Sequence, residues 1–195
     1  MMFDRSWLHE ASFNLLYASL VLATFVILER GLTYVWLMNR RRRIAQAIRS
    51  GGAEAALGLA SKDAISRAIK DYVTRQQSES LNRARAEDLS AALFLDVDGR
   101  VQARLWILDT VVTAAPLLGL LGTILGIMDT FNALSSGGIS DPAAVSRGIA
   151  TALLATAVGI GTALYGLLGH NVLHRAADDL IEGVKSLLLQ TTIAP

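Results

Sequence analysis

The sequence predicts an all-α membrane protein: three transmembrane helices with long cytoplasmic helical extensions, assembling as an oligomeric bundle. Three uncharged, mostly apolar stretches carry this prediction, at residues 11–28, 111–128 and 148–169. Each is close in length to the about 20 apolar residues that a helix needs to cross a bilayer. The chain between the first two stretches has no proline and is rich in Ala, Arg, Leu and Glu, which favours helix there as well.

The first apolar stretch is expected to stay in the membrane as a permanent span. Glu29 and Arg30 follow it, and we place them near the lipid headgroups, where an arginine can snorkel, with Tyr34 and Trp36 at the interface. The N-terminal tail lacks the basic region and the cleavage site of a signal peptide. The four arginines at 40–43 form a stop-transfer pattern.

The second and third stretches are predicted to form an antiparallel hairpin. The linker at 135–142 is short and rich in Ser and Gly. Asp141 followed by Pro142 is typical of a helix N-cap with proline at the first helical position.

Basic residues predict the orientation. Thirteen Lys or Arg lie between residues 40 and 104, whereas 135–142 contain none. The positive-inside rule therefore puts the middle segment and the C-terminus in the cytoplasm. The predicted order is a periplasmic N-terminus at 1–10, transmembrane helix 1 at 11–31, a cytoplasmic helical region at 32–108, transmembrane helix 2 at 109–133, a periplasmic loop at 134–143, transmembrane helix 3 at 144–170 and a cytoplasmic C-terminal helix at 171–195.

The end of the middle segment is predicted to be a helix that runs through Gly99 into the second span. One apolar stripe, with three- and four-residue spacing, keeps its phase across this glycine; its members are Leu89, Leu93, Val97, Val101, Leu105 and Leu108. A turn at Asp98–Gly99 is the competing interpretation, because Gly costs about 1 kcal/mol against Ala inside a helix. A calcium-binding loop is discounted, because its later ligands are missing.

Composition argues against several classes of function. The net charge is +1, there is no cysteine, and three histidines occur without a metal-binding pattern. We therefore expect no nucleic-acid partner, no metal and no cofactor. Neither a nucleophile–base pair nor a phosphate-binding loop is visible, so we do not expect an enzyme.

Small and hydroxyl residues mark the second and third spans. One set predicts close helix packing in lipid: Pro116, Gly119, Gly122, Gly126 and Gly159.

The threonines of these spans allow two interpretations, which the sequence leaves open. Each hydroxyl can bond to a carbonyl one turn back, or a polar stripe can face water or a partner. Asp109, Pro116, Thr123 and Thr130 repeat every seven positions on one face, while Thr151 and Thr162 nearly eclipse each other on the third span and Thr156 points elsewhere.

Two motifs carry a family resemblance. PLLGLLGTILGIM at 116–128 resembles the second-span signature of ExbB and TolQ, and GIATALLATAVG at 148–159 resembles their third-span signature. The chain is thus similar to the MotA/TolQ/ExbB proton channel family, and closest to ExbB. By that resemblance Thr123 and Thr156 match the threonines that line the family's ion path, while Thr151 replaces a glutamate and Tyr165 a proline.

The resemblance also implies partners and a location. It implies a homo-oligomer, most simply a pentamer, in the lipid of the bacterial inner membrane, surrounding an ExbD- or TolR-like single-span subunit and acting through a TonB- or TolA-like transducer. The leading hypothesis is an ExbB-like channel and scaffold subunit that powers TonB-dependent outer-membrane import. A TolQ-like envelope-maintenance subunit, a MotA-like stator and a structural scaffold without ion flux are the alternatives. The cargo and the choice between H⁺ and Na⁺ stay open.

Overall fold

The computed structural model describes residues 5–57, 64–79, 83–137 and 142–193, and their regular structure is helical throughout. The five helices are α1 Arg5–Leu57, α2 Ala64–Glu79, α3 Arg83–Val101, α4 Leu105–Gly137 and α5 Pro142–Ile193. Three of them contain stretches long and apolar enough to cross a membrane: Glu10–Ala47, Leu105–Asn132 and Pro142–Ser186. The all-α prediction with three membrane helices is confirmed.

One compact unit comprises Met1–Leu28 and Arg104–Asn171, and it contains the first part of α1, all of α4 and most of α5. Its interior contains leucines together with alanines, whose small side chains allow helices to approach closely in lipid. The most deeply buried of these are Leu16, Ala23, Leu108, Ala115, Ala152 and Ala155.

The other compact unit comprises Glu29–Ala103 and Val172–Pro195. Here α2 packs against α3. Helix α2 buries Ile65, Ala68 and Tyr72, which are spaced as one face of a helix. The Tyr34 hydroxyl, itself buried, donates to the carbonyl of Val101 at 2.7 Å. That bond ties α1 to the C-terminal end of α3.

A second tie in this unit joins α1 to α5. The guanidinium of Arg41 donates to the backbone carbonyl of Asp179. It occupies the space where a Cβ on Gly183 would stand, so any side chain at that position would displace it.

The junction between α3 and α4 differs from the sequence prediction. The helix does pass through Gly99, as predicted, but it ends at Val101, so the prediction of an uninterrupted helix into the second span is wrong. The amide of Gln102 still bonds to the carbonyl of Asp98 at 2.9 Å. Arg104 then adopts a left-handed backbone with φ 72°. Arg104 directly precedes α4, and glycine adopts a left-handed backbone more readily than an arginine does.

The charged pair in α1 also differs from expectation in one respect. Arg30 lies 3.4 Å from the Glu29 carboxylate, which is within the distance of an ion pair. Its side chain is buried, however, rather than extended toward headgroups. The exposed apolar face of α1 continues past it through Leu32, Val35 and Trp36.

Candidate functional site

Helices α4 and α5 are in direct backbone contact at two glycines. A Cβ added to Gly119 would stand 2.8 Å from the carbonyl oxygen of Ala155, and one added to Gly159 would stand 2.6 Å from that of Ala115. Both distances are shorter than van der Waals contact. Glycine is therefore required at both positions by the spacing of the two helices.

Gly122 and Gly126 follow Gly119 along α4 and are both buried. A Cβ on Gly122 would come within 3.0 Å of the Ala155 side chain and 3.9 Å of the Ser12 side chain. Ser12 is itself buried on α1. All three membrane helices of this unit thus meet around Gly122.

The two threonines Thr123 and Thr156 are brought together across this contact. Their hydroxyl groups hydrogen-bond to each other. Thr123 Oγ1 also lies 3.1 Å from the carbonyl of Gly119 and 3.0 Å from that of Ala152, and Thr156 Oγ1 lies 3.2 Å from the carbonyl of Gly119. The result is a half-buried group of four oxygen atoms, two from hydroxyls and two from backbone carbonyls.

The other two threonine candidates are not part of this oxygen group. The Thr130 hydroxyl donates to the carbonyl of Gly126 at 2.8 Å, and its side chain fills the space over Gly148. The Thr151 hydroxyl donates to the carbonyl of Arg147 at 3.0 Å, and the side chain is exposed. Thr151 therefore presents its hydroxyl to its own helix rather than to α4.

Pro116 lies inside α4 and is half-buried. Because proline has no amide hydrogen, the carbonyl of Val112 loses its ordinary partner within the helix. The Val112 side chain itself lies against α5, since a Cβ on Gly166 would stand 3.2 Å from it.

Two residues of this site were not singled out from the sequence. Ala152 contributes a carbonyl oxygen to the threonine pair, and Ala155 lies against Gly119 and Gly122. Their spacing with Gly159, at three and then four residues, is a signal that could have identified them. Their role was not predicted, because alanine has no polar side-chain atom that would indicate it.

The chemistry of the site is that of neutral oxygen atoms. A threonine hydroxyl can orient water or accept a cation, but it does not ionise at physiological pH. The sequence has no Asp, Glu, Lys or Arg from 110 to 128 or from 148 to 174. Among the described residues, Asp109 lies exposed near the start of α4 and Asp129 lies half-buried further along it.

Comparison with known proteins places this helix pair in a family. The profile of the MotA/TolQ/ExbB proton channel family matches residues 59–186, which is more than half of the chain and includes all of α4. The chain belongs to the MotA/TolQ/ExbB proton channel family. Together with three apolar helices of membrane-spanning length, this makes it a multi-pass membrane protein of the bacterial inner membrane.

Individual relatives match shorter parts of the chain. The chain is 44% identical over 70 residues to a protein named putative biopolymer transport protein ExbB-like 1 from Synechocystis, covering 34% of the chain and 28% of that protein. It is 39% identical over 79 residues to the biopolymer transport protein ExbB of Aquifex aeolicus, covering 40% of the chain and 53% of that protein. It is 37% identical over 82 residues to the Tol-Pal system protein TolQ of Pseudomonas aeruginosa, covering 42% of the chain and 36% of that protein. The chain thus matches about half or less of the length of these curated relatives.

Proposed function

We propose that this chain is the channel and scaffold subunit of an ion-driven, energy-transducing complex, ExbB-like in powering TonB-dependent import across the outer membrane. The observation that carries the proposal is the threonine pair, Thr123 and Thr156, held between α4 and α5. A group of hydroxyl and carbonyl oxygens inside a membrane helix contact can pass water or a cation along the helices. A contact that serves only packing can be built from glycine and alanine alone, as it is at Gly119 and Gly159.

The same chemistry implies a partner. Moving a proton through hydrocarbon needs a titratable group at mid-depth, and the sequence supplies none in the apolar stretches of α4 and α5. We infer that the carboxylate comes from an ExbD- or TolR-like single-span subunit enclosed by a homo-oligomer, a pentamer in its simplest form. A TonB- or TolA-like transducer would then carry the motion outward. The proposed orientation has the N-terminus in the periplasm and the C-terminus in the cytoplasm.

Reconstitution tests this proposal directly. The purified chain is placed in liposomes with and without an ExbD-like subunit, and gradient-driven uptake of H⁺ or Na⁺ is followed. We expect flux from the complex and none from the chain alone. Robust flux from the chain alone would remove the need for a partner, and a complex without flux would favour a structural scaffold.

Substitutions of the threonine pair extend the same test. Val keeps the shape of Thr and deletes the hydroxyl, so Thr123→Val and Thr156→Val should each lower flux by tenfold or more while the complex stays assembled. Thr24→Val is the matched control, because the Thr24 hydroxyl bonds at 2.8 Å to the carbonyl of Leu20 in its own helix, α1. Full flux in both variants would reduce the pair to a packing contact.

A TolQ-like role in envelope maintenance is the second candidate, and the match to the Pseudomonas aeruginosa protein supports it. The two roles are separated by complementation. The chain is expressed with its own genomic neighbours in strains that lack either exbB or tolQ. Restored receptor-dependent uptake supports the ExbB-like role, and restored resistance to detergent supports the TolQ-like role.

A further inference from the structure

The four arginines at positions 40–43 of α1 do not share one environment. Arg41 donates to a backbone carbonyl of α5, and the Nε atom of Arg40 is buried. Arg42 and Arg43 are exposed, and neither makes a hydrogen bond or an ion pair with the residues that the structure describes. Two of the four guanidinium groups therefore face the protein, and the other two are presented outward.

An apolar patch on the same helix precedes the two outward arginines. It consists of Leu32, Val35 and Trp36, which are 74%, 61% and 51% exposed although all three are large and apolar. Their spacing of three and four residues puts them on one face of α1. The patch lies in the candidate span Glu10–Ala47, so an apolar neighbour is needed to cover it.

The outward arginines lie on the same face of α1 as the apolar patch. Arg42 follows Val35 by seven positions. Arg43 follows Trp36 by the same interval. Seven residues rise about 10 Å along a helix and drift by only about 20° around it. Asn39, which is also exposed, lies between the two pairs along the helix. An apolar surface is thus followed, about 10 Å further along one face, by a positively charged one.

The chemistry of this face selects a ligand with two different ends. A guanidinium group is always charged and can pair with a phosphate through two parallel hydrogen bonds. The apolar patch requires hydrocarbon, and Trp36 is of the residue type that favours the boundary between headgroups and acyl chains. An anionic phospholipid has a phosphate and acyl chains in one molecule. The same face of a second copy would instead bring like charges together.

We propose that Arg42 and Arg43 bind the phosphate of an anionic phospholipid whose acyl chain lies along the apolar patch. Arg30, which was predicted from the sequence to lie near the headgroups, is buried instead, so the headgroup contact of α1 falls to these two arginines. The inference goes beyond the proposed function, because lipid binding requires neither ion flux nor a partner subunit.

The test uses Trp36 as the reporter of the lipid beside it. The chain has three tryptophans, so Trp7→Phe combined with Trp106→Phe leaves Trp36 as the only one. This reporter chain is placed in phosphatidylcholine vesicles that contain a small fraction of a brominated lipid, which quenches tryptophan fluorescence on contact. Brominated phosphatidylglycerol should bind beside Trp36 about fivefold more tightly than brominated phosphatidylcholine, the factor that about 1 kcal/mol for a basic residue at an anionic surface gives.

A matched pair of variants separates the site from net charge. Arg42→Gln combined with Arg43→Gln should lower the ratio of the two binding constants to about one. Lys70→Gln combined with Arg85→Gln removes the same charge from exposed positions on α2 and α3, and it should leave the ratio unchanged. Potassium phosphate, compared with potassium chloride at equal ionic strength, should also leave it unchanged, because free phosphate has no acyl chain.

Four outcomes would overturn the proposal. They are equal quenching by the two lipids in the reporter chain, an equal loss of preference in the two double variants, displacement by free phosphate, and quenching by neither lipid. The last would mean that protein, such as a second copy of the chain, covers the patch. Spin-labelled forms of the two lipids, followed by electron paramagnetic resonance on the chain with all three tryptophans, give the same comparison if the reporter chain does not fold. Circular dichroism confirms that each variant is helical.

Discussion

Adding one methyl group at Gly119 should weaken the contact between α4 and α5. The new Cβ would stand 2.8 Å from the Ala155 carbonyl oxygen, 3.1 Å from the Thr156 Cα and 3.2 Å from the Gly159 Cα. All three are backbone atoms, so no side chain can rotate away. Reaching ordinary contact at 3.4 Å requires the helices to separate by about 0.6 Å at the closest atom, 3.4 less 2.8.

The same separation of the helices would lengthen the hydrogen bonds of the threonine pair. The bond from Thr123 to the Ala152 carbonyl is 3.0 Å long and the bond from Thr156 to the Gly119 carbonyl is 3.2 Å. Lengthening either by about 0.6 Å takes it past the usual hydrogen-bond range. Overpacking costs about 1–3 kcal/mol, and each weakened intramembrane hydrogen bond adds about 0.6 kcal/mol. Alanine gains about 1 kcal/mol over glycine in helix propensity, so Gly119→Ala should lower the free energy of unfolding by about 1–3 kcal/mol.

The assay is unfolding in mixed micelles by titration with SDS, followed by circular dichroism. Gly161→Ala is the matched control, because a Cβ on that residue of α5 meets no atom within 4 Å. The control should be neutral or slightly stabilising, since Ala is the better helix former by up to about 1 kcal/mol. Equal unfolding curves for the two variants would refute the close backbone contact.

Three further predictions follow from single positions. Arg104→Gly should stabilise the protein by about 0.5–1 kcal/mol, because glycine adopts φ 72° without strain. Arg100→Gly in the last turn of α3 is the control and should destabilise it. SDS titrations that rank the two variants in the opposite order would contradict this prediction. Tyr34→Phe should cost about 1–2 kcal/mol in the same titration by leaving the Val101 carbonyl unpaired in a buried place, while Tyr17→Phe at an exposed position should cost nothing. The third prediction concerns the proposed orientation and uses single cysteines on a chain that has no native cysteine. In intact spheroplasts, cysteines at positions 10 and 135 should react with an impermeant maleimide, and cysteines at positions 70 and 186 should react only after lysis. Labelling of position 70 or 186 before lysis would contradict the orientation.

The sequence was sufficient for the number and type of membrane helices because an apolar stretch of spanning length has few alternatives in lipid. It was insufficient for the pairing of Thr123 with Thr156. Helical periodicity tells which residues share a face of one helix, and it placed Thr123 in line with Pro116. It does not fix the vertical register of two antiparallel helices, which here follows from backbone contact at Gly119 and Gly159.

At the junction of α3 and α4, the sequence did not identify where the helix breaks. Gly99 was the residue that local propensity marked as a break, and the helix passes through it. The break occurs instead at residues 102–104, and its left-handed residue is Arg104, a residue type with no preference for that backbone. Sequence patterns detect residue types that favour a turn, but they do not detect a turn at a residue of ordinary type.

The backbone contact between α4 and α5 has a mechanical consequence. Where side chains separate two helices, rotamer changes let one helix slide or turn against the other. At Gly119 and Gly159 the chains touch through Cα atoms and carbonyl oxygens, which have no rotamers to change. The contact therefore resists sliding and turning of α4 against α5 at these two positions.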